Sequence, residues 1–172
     1  MRKNASEPSK RGRPDPLETL FSTYSPDETA PYREIAAFLR ELGYKPRKLR
    51  GGYNFICDAH PKQLAKLASV RTKGADRLTF SLRFSACRAP SERFQKIASD
   101  FIAKYPTRAA RCPEGACGFC AGPPEAHAYR VAGSSRLLCG AYALPIPDFS
   151  ESDLEEAKRL ILEEDAYWRG KR

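Results

Sequence analysis

The sequence predicts an α+β fold in which helices flank a mostly antiparallel sheet. Strict alternation of apolar and polar residues over 78–85 predicts a strand with one buried face. An apolar stripe of helical period over 91–105 predicts an amphipathic helix. The predicted order is a helix, several strands, a helix, a cysteine-rich segment and a last helix. Grouping of strands apart from helices favours α+β over alternating β-α units.

Local patterns define the other elements. Pro31 suits a first helical turn, Gly51-Gly52 suits a hairpin turn, and Ser152 with Glu155 has the spacing of a capping box. The stretch 61–72 is ambiguous, because helical propensity in its first half competes with a strand from residue 68. In chain order, the predicted elements are a helix at 31–42, a hairpin of 45–49 and 53–58, the ambiguous stretch, a strand at 78–85, a helix at 91–105, a hairpin of 128–131 and 136–139, and a helix at 152–168.

Composition divides the chain into three segments. Residues 1–25 hold little apolar material and three prolines, so they cannot bury enough surface to offset the entropy of ordering, and we expect a disordered basic tail. Residues 26–108 are the predicted α+β domain. Residues 109–172 are the predicted cysteine metal module, whose C-terminal helix packs on that domain.

The net charge of +9 is unevenly distributed. Residues 1–111 carry 23 Lys and Arg against 11 Asp and Glu, whereas residues 112–172 carry 7 against 10. A basic N-terminal part attracts nucleic acid or an acidic protein, although a merely solvated basic surface has the same composition. No apolar stretch is long enough to span a bilayer and the N-terminus is polar, so we expect a cytoplasmic protein.

Four cysteines have the spacing of a metal site. Cys112, Cys117 and Cys120 form a C-x4-C-x2-C cluster, and Cys139 follows after 18 residues. In a reducing compartment such cysteines bind metal more readily than they form disulfides. Four thiolates satisfy tetrahedral zinc, and because no position is left for an activated water, the expected role is structural.

Four other residues are alternative ligands. His127 lies between Cys120 and Cys139 and could replace one cysteine, although it fits a surface loop equally well. Cys57 and His60 have C-x2-H spacing and could form a second site with Cys87. A buried thiol on a strand is the competing interpretation, since free cysteine behaves as a small hydrophobe.

The cysteine spacing also resembles that of plant-type [2Fe-2S] ferredoxins. The shared features are the local run Gly115-Ala116-Cys117 with Cys120, and the later Cys139-Gly140-Ala141-Tyr142. This resemblance implies a [2Fe-2S] cluster and a role as electron carrier or redox sensor. The upstream chain lacks the pattern of that family's ubiquitin-like fold, so zinc is the first expectation and the cluster is the alternative.

The region from the strand at 78–85 to the end is similar to a set of small bacterial cysteine-cluster proteins. The shared order is a strand, a helix, three clustered cysteines, a hairpin ending in Cys139 and a final acidic helix. No activity is established for that set. The resemblance therefore implies a zinc-binding module and no substrate.

Two basic segments are candidates for nucleic-acid binding. One resembles the AT-hook, in which an extended Arg-Gly-Arg enters the narrow A·T minor groove. The other lies beside two tyrosines at the predicted first hairpin. The candidate residues are Lys10, Arg11, Gly12, Arg13 and Pro14 in the first segment and Arg47, Lys48 and Arg50 in the second.

Known catalytic motifs are absent from the sequence, which contains no G-x-S-x-G, no H-E-x-x-H and no phosphate-binding P-loop. With only two histidines, there are few candidates for a general base. The sequence therefore favours a protein that acts by binding rather than by catalysis.

Overall fold

The structure is a computed structural model that describes residues 15–49, 51–106, 128–138 and 143–171. In these ranges four helices and seven strands form an α+β fold, which confirms the predicted class. The helices are α1 (Glu18–Phe21), α2 (Pro26–Glu41), α3 (Glu92–Lys104) and α4 (Leu154–Arg169); the strands are β1 (Lys45–Leu49), β2 (Gly52–Cys57), β3 (His60–Thr72), β4 (Ala75–Leu82), β5 (Ala128–Val131), β6 (Ser134–Leu137) and β7 (Leu144–Ile146).

The main sheet has the order β1-β2-β3-β4-β7, and all of its neighbours pair antiparallel. Strands β5 and β6 form a separate hairpin. The predicted hairpins of β1 with β2 and of β5 with β6 are confirmed, as is the helix α3. Strand β7 was not predicted, since it is three residues long and contains Pro145.

The register assigns each strand residue to one of two faces. We call the inner face the one formed by two rows of paired residues across the sheet. The residues of β2, β3, β4 and β7 in these rows share a core with α2 and α4, whereas those of β1 lie at its margin. The first row is Pro46, Phe55, Ala65, Leu82 and Leu144, and the second is Lys48, Tyr53, Leu67, Phe80 and Ile146.

An irregularity in β3 turns its first residues toward α4. The pairing of β2 with β3 shifts register between Phe55 and Cys57, and the successive residues Leu64 and Ala65 are both fully buried. A regular strand would place neighbouring side chains on opposite faces, so the bulge reverses the alternation at this point. As a result His60 is buried against α4.

The predicted tail was too long, because residues 15–25 are folded. Leu17 and Phe21 are buried in the core, and Arg40 of α2 forms an ion pair with Asp15. Helix α2 begins at Pro26, five residues before the predicted start at Pro31. Its N-cap is Ser25, whose side chain accepts a hydrogen bond from the backbone of Glu28.

The structure resolves one ambiguous prediction and corrects another. The ambiguous stretch is one long strand, because pairing on both sides by β2 and β4 outweighs the helical propensity of its first half. The capping box near the last helix uses Ser150 and Asp153 rather than Ser152 and Glu155, and it begins a 3₁₀ turn that leads into α4. Within the described ranges, the helices are too short or too polar to cross a bilayer.

Among the described glycines, Gly52 lies closest to a neighbouring strand. A Cβ at this position would lie 2.3 Å from the carbonyl oxygen of Leu67, whereas one at Gly43 would meet no atom within 4 Å. We expect Gly52→Ala to lower the free energy of unfolding by about 3 kcal/mol and Gly43→Ala, which has only its positive φ to tolerate, by about 1 kcal/mol. Urea denaturation of both variants measures the difference, and equal losses would contradict the close packing of β2 on β3.

Candidate functional site

A buried polar cluster lies at the C-terminal end of α4. Its centre is the hydroxyl of Tyr44, which lies 2.8 Å from Nε2 of His60 and 2.6 Å from Oδ1 of Asp165. Tyr44 follows α2, His60 begins β3 and Asp165 belongs to α4, so three distant parts of the chain meet here. All three residues are buried.

The hydrogen bonds assign the protons of this cluster. The backbone N–H of Lys62 donates to Nδ1 of His60 over 3.3 Å, so a neutral imidazole carries its proton on Nε2 and donates it to Tyr44. Tyr44 then donates to Asp165, whose other oxygen accepts from Nε of Arg169 at 2.7 Å. Burial, and after it the Asp165 carboxylate, raise the pKa of the Tyr44 hydroxyl.

Cys57 completes the cluster from the hairpin between β2 and β3. It pairs with His60 across the two-residue turn Asp58-Ala59, and it is half-buried. The sulfur of Cys57, a ring nitrogen of His60 and a carboxylate oxygen of Asp165 all lie within 4.8 Å of one another. The predicted proximity of Cys57 and His60 is therefore observed.

Cys87 does not belong to this group, so of the two interpretations left open for it the buried thiol applies. Its thiol donates to the carbonyl of Leu160 over 3.3 Å. Burial raises the pKa of this thiol, and the nearby Glu164 raises it further. Cys87 is thus a buried neutral thiol, as the competing interpretation expected.

A second network surrounds Glu164, the neighbour of Asp165 on α4. This fully buried carboxylate accepts from Nε of Arg83 at 3.2 Å, from the backbone N–H of Ala86 at 2.7 Å and from Nε1 of Trp168 at 2.8 Å. Burial raises the pKa of Glu164, while the Arg83 guanidinium and the N–H donors oppose that shift. The two adjacent carboxylates tie α4 to both β3 and the chain after β4.

The predicted basic residues of the first hairpin fall on opposite faces of β1. Arg47 pairs with Asn54, whereas Lys48 pairs with Tyr53 of the inner face. We call the other side of the sheet the outer face. Its residues are Lys45, Arg47, Leu49, Asn54, Ile56, Lys66, Ala68, Val70, Thr72, Ala75, Arg77, Thr79, Ser81 and Pro145.

The outer face is cationic and lies apart from the described core. None of its residues belongs to the core cluster, and Leu49 and Val70 are 51% and 45% exposed. Among these strand residues there are four cations and no carboxylate. The four cations are Lys45, Arg47, Lys66 and Arg77, and the ammonium of Lys45 forms an exposed ion pair with Asp58 at 2.9 Å.

An acidic groove of about 1090 Å³ borders the outer face where β3, β4 and β7 meet, and the two surfaces share Arg77. It is lined by the start of α2, the turn between β3 and β4, and the chain after β7. Its charged lining residues are Asp27, Glu28, Asp76, Asp148, Glu151 and Arg77. This groove repels phosphate, so the two surfaces of the sheet region differ in the ligands that they attract.

The predicted metal ligands Cys112, Cys117, Cys120 and Cys139 and the alternative His127 lie outside the described residues. Arg50 and residues 10–14 lie outside them as well. Compared with family models, curated proteins and solved structures, the chain matches none of them.

The sequence patterns did not single out Glu164 or Asp165. They offered Tyr44 and Tyr53 for base stacking beside the basic hairpin, but both tyrosines are buried. Among the acids of α4, Glu155 faces solvent, whereas Glu164 and Asp165 are buried. A signal was present in the helical period. Residues 157, 160, 161, 164, 165 and 168 lie on one face of α4, so the apolar stripe itself places both acids in the interior.

Loss of the Glu164 charge tests the second network. We expect Glu164→Gln to lower the free energy of unfolding by about 3 kcal/mol, because the 3% exposed Arg83 keeps its charge but loses the carboxylate it faces. Glu155→Gln, on the exposed side of α4, is the matched control and changes it by less than about 0.5 kcal/mol. Thermal and urea denaturation measure both, and a neutral Glu164→Gln would show that the pair does not hold α4.

Proposed function

We propose that the protein binds single-stranded nucleic acid on its outer face. The observation that carries this proposal is a face with several cations and, among its described strand residues, no carboxylate. Phosphates are the ligands that such a surface attracts, and neutralising them releases counterions. The proposal also accounts for the excess of Lys and Arg over Asp and Glu in residues 1–111.

The register shows how the cations could follow a nucleic-acid backbone. Arg47, Asn54, Lys66 and Ser81 form one row across four strands. Because neighbouring strands are about 4.8 Å apart, Arg47 and Lys66 lie about 10 Å from each other. The two cations of this row suit the phosphates of an extended chain, whereas the amide of Asn54 between them donates to Gln63 at 2.7 Å.

The apolar members of the outer face favour a single strand over a duplex. Leu49 and Val70 are exposed beside the cations, where unpaired bases could contact them. No aromatic residue belongs to this face, so base stacking contributes little and binding is mainly electrostatic. We therefore expect weak sequence preference and strong dependence on salt.

Two substitutions in β1 distinguish binding at the outer face from general attraction by the net charge. We expect Arg47→Gln to weaken binding to labelled single-stranded DNA of about 20 nucleotides by about fivefold at low salt, and to reduce the salt slope by about 0.7. Lys48→Gln removes one positive charge as well, but on the inner-face side of β1. It leaves the affinity and the salt slope nearly unchanged. Fluorescence anisotropy at several salt concentrations measures them.

Equal losses in Arg47→Gln and Lys48→Gln would contradict a specific face and leave only general attraction. Lys66→Gln is a third variant, and it should resemble Arg47→Gln because both residues share the outer row. Alanine at Arg11 and Arg13 tests the AT-hook separately, on an A·T-rich duplex. No binding by the wild type at low salt would favour an acidic protein as the partner instead.

We propose in addition that Cys112, Cys117, Cys120 and Cys139 bind one structural zinc ion. The supporting observation is the pairing of Ala128 with Leu137 in the β5–β6 hairpin. This pair joins the end of the 107–127 segment to the chain just before residue 139. A connection closed at this pair lowers the loop entropy that opposes convergence of four cysteines on one ion.

Substitution of one cysteine tests the zinc proposal. We expect Cys117→Ser to lose one zinc equivalent per chain and to lower the melting temperature, because metal binding contributes to folding. Cys87→Ser is the control, since Cys87 is a buried thiol that bonds to a carbonyl. Elemental analysis of freshly purified protein measures the metal; iron with visible absorbance would identify a [2Fe-2S] cluster in place of zinc.

A further inference from the structure

We propose a second metal site, formed by Cys57, His60 and Asp165, for a divalent cation of the zinc class. The site lies entirely within the described residues and does not depend on the four-cysteine proposal. Its donors are a thiol, an imidazole and a carboxylate, three of the ligand types that zinc prefers. They come from the β2–β3 hairpin and α4 and lie within 4.8 Å of one another.

The hairpin supplies two ligands in a compact unit. Cys57 and His60 flank the turn Asp58-Ala59 and are paired residues of β2 and β3. C-x2-H spacing across such a turn directs both side chains to one point, and the bulge in β3 orients that point toward α4. Asp165 lies on the other side of the same point.

The distances are close to those of a bound cation. Ideal tetrahedral zinc separates its nitrogen and oxygen ligands by about 3.4 Å and its sulfur and nitrogen ligands by about 3.6 Å. Nε2 of His60 and Oδ1 of Asp165 are 3.6 Å apart. Cys57 lies half-buried at the hairpin end, and its sulfur is within 4.8 Å of the other two ligand atoms.

The hydroxyl of Tyr44 lies between two of these donors. At 2.8 Å from Nε2 and 2.6 Å from Oδ1, it makes hydrogen bonds that a cation would replace. Metal binding therefore shifts the hydroxyl and moves the imidazole proton from Nε2 to Nδ1, at the loss of one long hydrogen bond from Lys62. The thiol of Cys57 releases its proton to solvent when it binds.

The surroundings support ligation by Asp165 through Oδ1. Nε of Arg169 donates to Oδ2 at 2.7 Å, which orients the carboxylate and leaves its other oxygen toward His60. Outer contacts of this kind accompany ligating carboxylates in metal sites. Three protein ligands leave the fourth coordination position of a tetrahedral cation open. Because Cys57 is only half-buried, this position lies on the side of the cluster nearest to solvent.

Zinc content tests the site. The full-length protein is equilibrated with excess zinc without oxygen, desalted and analysed for zinc per chain. We expect Cys57→Ala to lose one equivalent relative to the wild type and Cys87→Ala to lose none. Cys57 lies at a hairpin end and Cys87 is the other described free cysteine, so the pair is matched. Equal zinc in the wild type and Cys57→Ala overturns the proposal.

The two zinc proposals fail independently. If both sites exist, Cys117→Ser and Cys57→Ala each lose one equivalent and the double variant loses both. Loss in Cys57→Ala alone supports this site and removes the four-cysteine site. Loss in Cys117→Ser alone does the reverse.

Two further variants distinguish ligation from a structural role. Tyr44→Phe should retain the cation and bind it at least as tightly, because the competing hydroxyl is gone. Arg169→Gln should weaken zinc binding about tenfold, since the carboxylate loses its orienting contact. Competition with a zinc-binding dye measures both. Loss of the cation in Tyr44→Phe would overturn the arrangement of three protein ligands.

Discussion

The rest of the structure depends on the burial of two adjacent carboxylates in α4. Glu164 and Asp165 lose their hydration, and separate partners replace it: Arg83 and the backbone N–H of Ala86 for Glu164, and Tyr44 for Asp165. A charge without such partners would be far too costly in the interior. The pairs therefore determine how α4 is rotated and how far along the sheet it lies.

The position of α4 in turn separates the two faces of the sheet. With α2 and α4 on the inner face, the alternating residues of β1 to β4 are divided between a core of aromatic and aliphatic side chains and a polar, cationic surface. The same helix end brings Asp165 to the hairpin that carries Cys57 and His60. The packing of α4 thus positions both the outer face and the Cys57–His60–Asp165 cluster, the two places for which we propose ligands.

Much of the fold could be predicted from the sequence, because the strongest patterns are local. The alternation in β4 and the apolar stripe of α3 indicated both elements, and the glycines at 51 and 52 indicated the first hairpin. The first half of β3 could not be assigned, since its strand pairing comes from residues far along the chain. Asp165 as a partner of His60 is a contact across 105 positions, which no local pattern contains.

A last consequence comes from the prolines at both margins of the main sheet. Pro46 lies in β1 and Pro145 in β7, the two outermost strands of the described sheet, and neither can donate a backbone hydrogen bond. Lys45, Arg47 and Lys48 add repulsion between like copies at the first margin. The sheet is thereby protected against growth by strand addition, so amyloid-like stacking is disfavoured and extended peptides gain little by augmenting it.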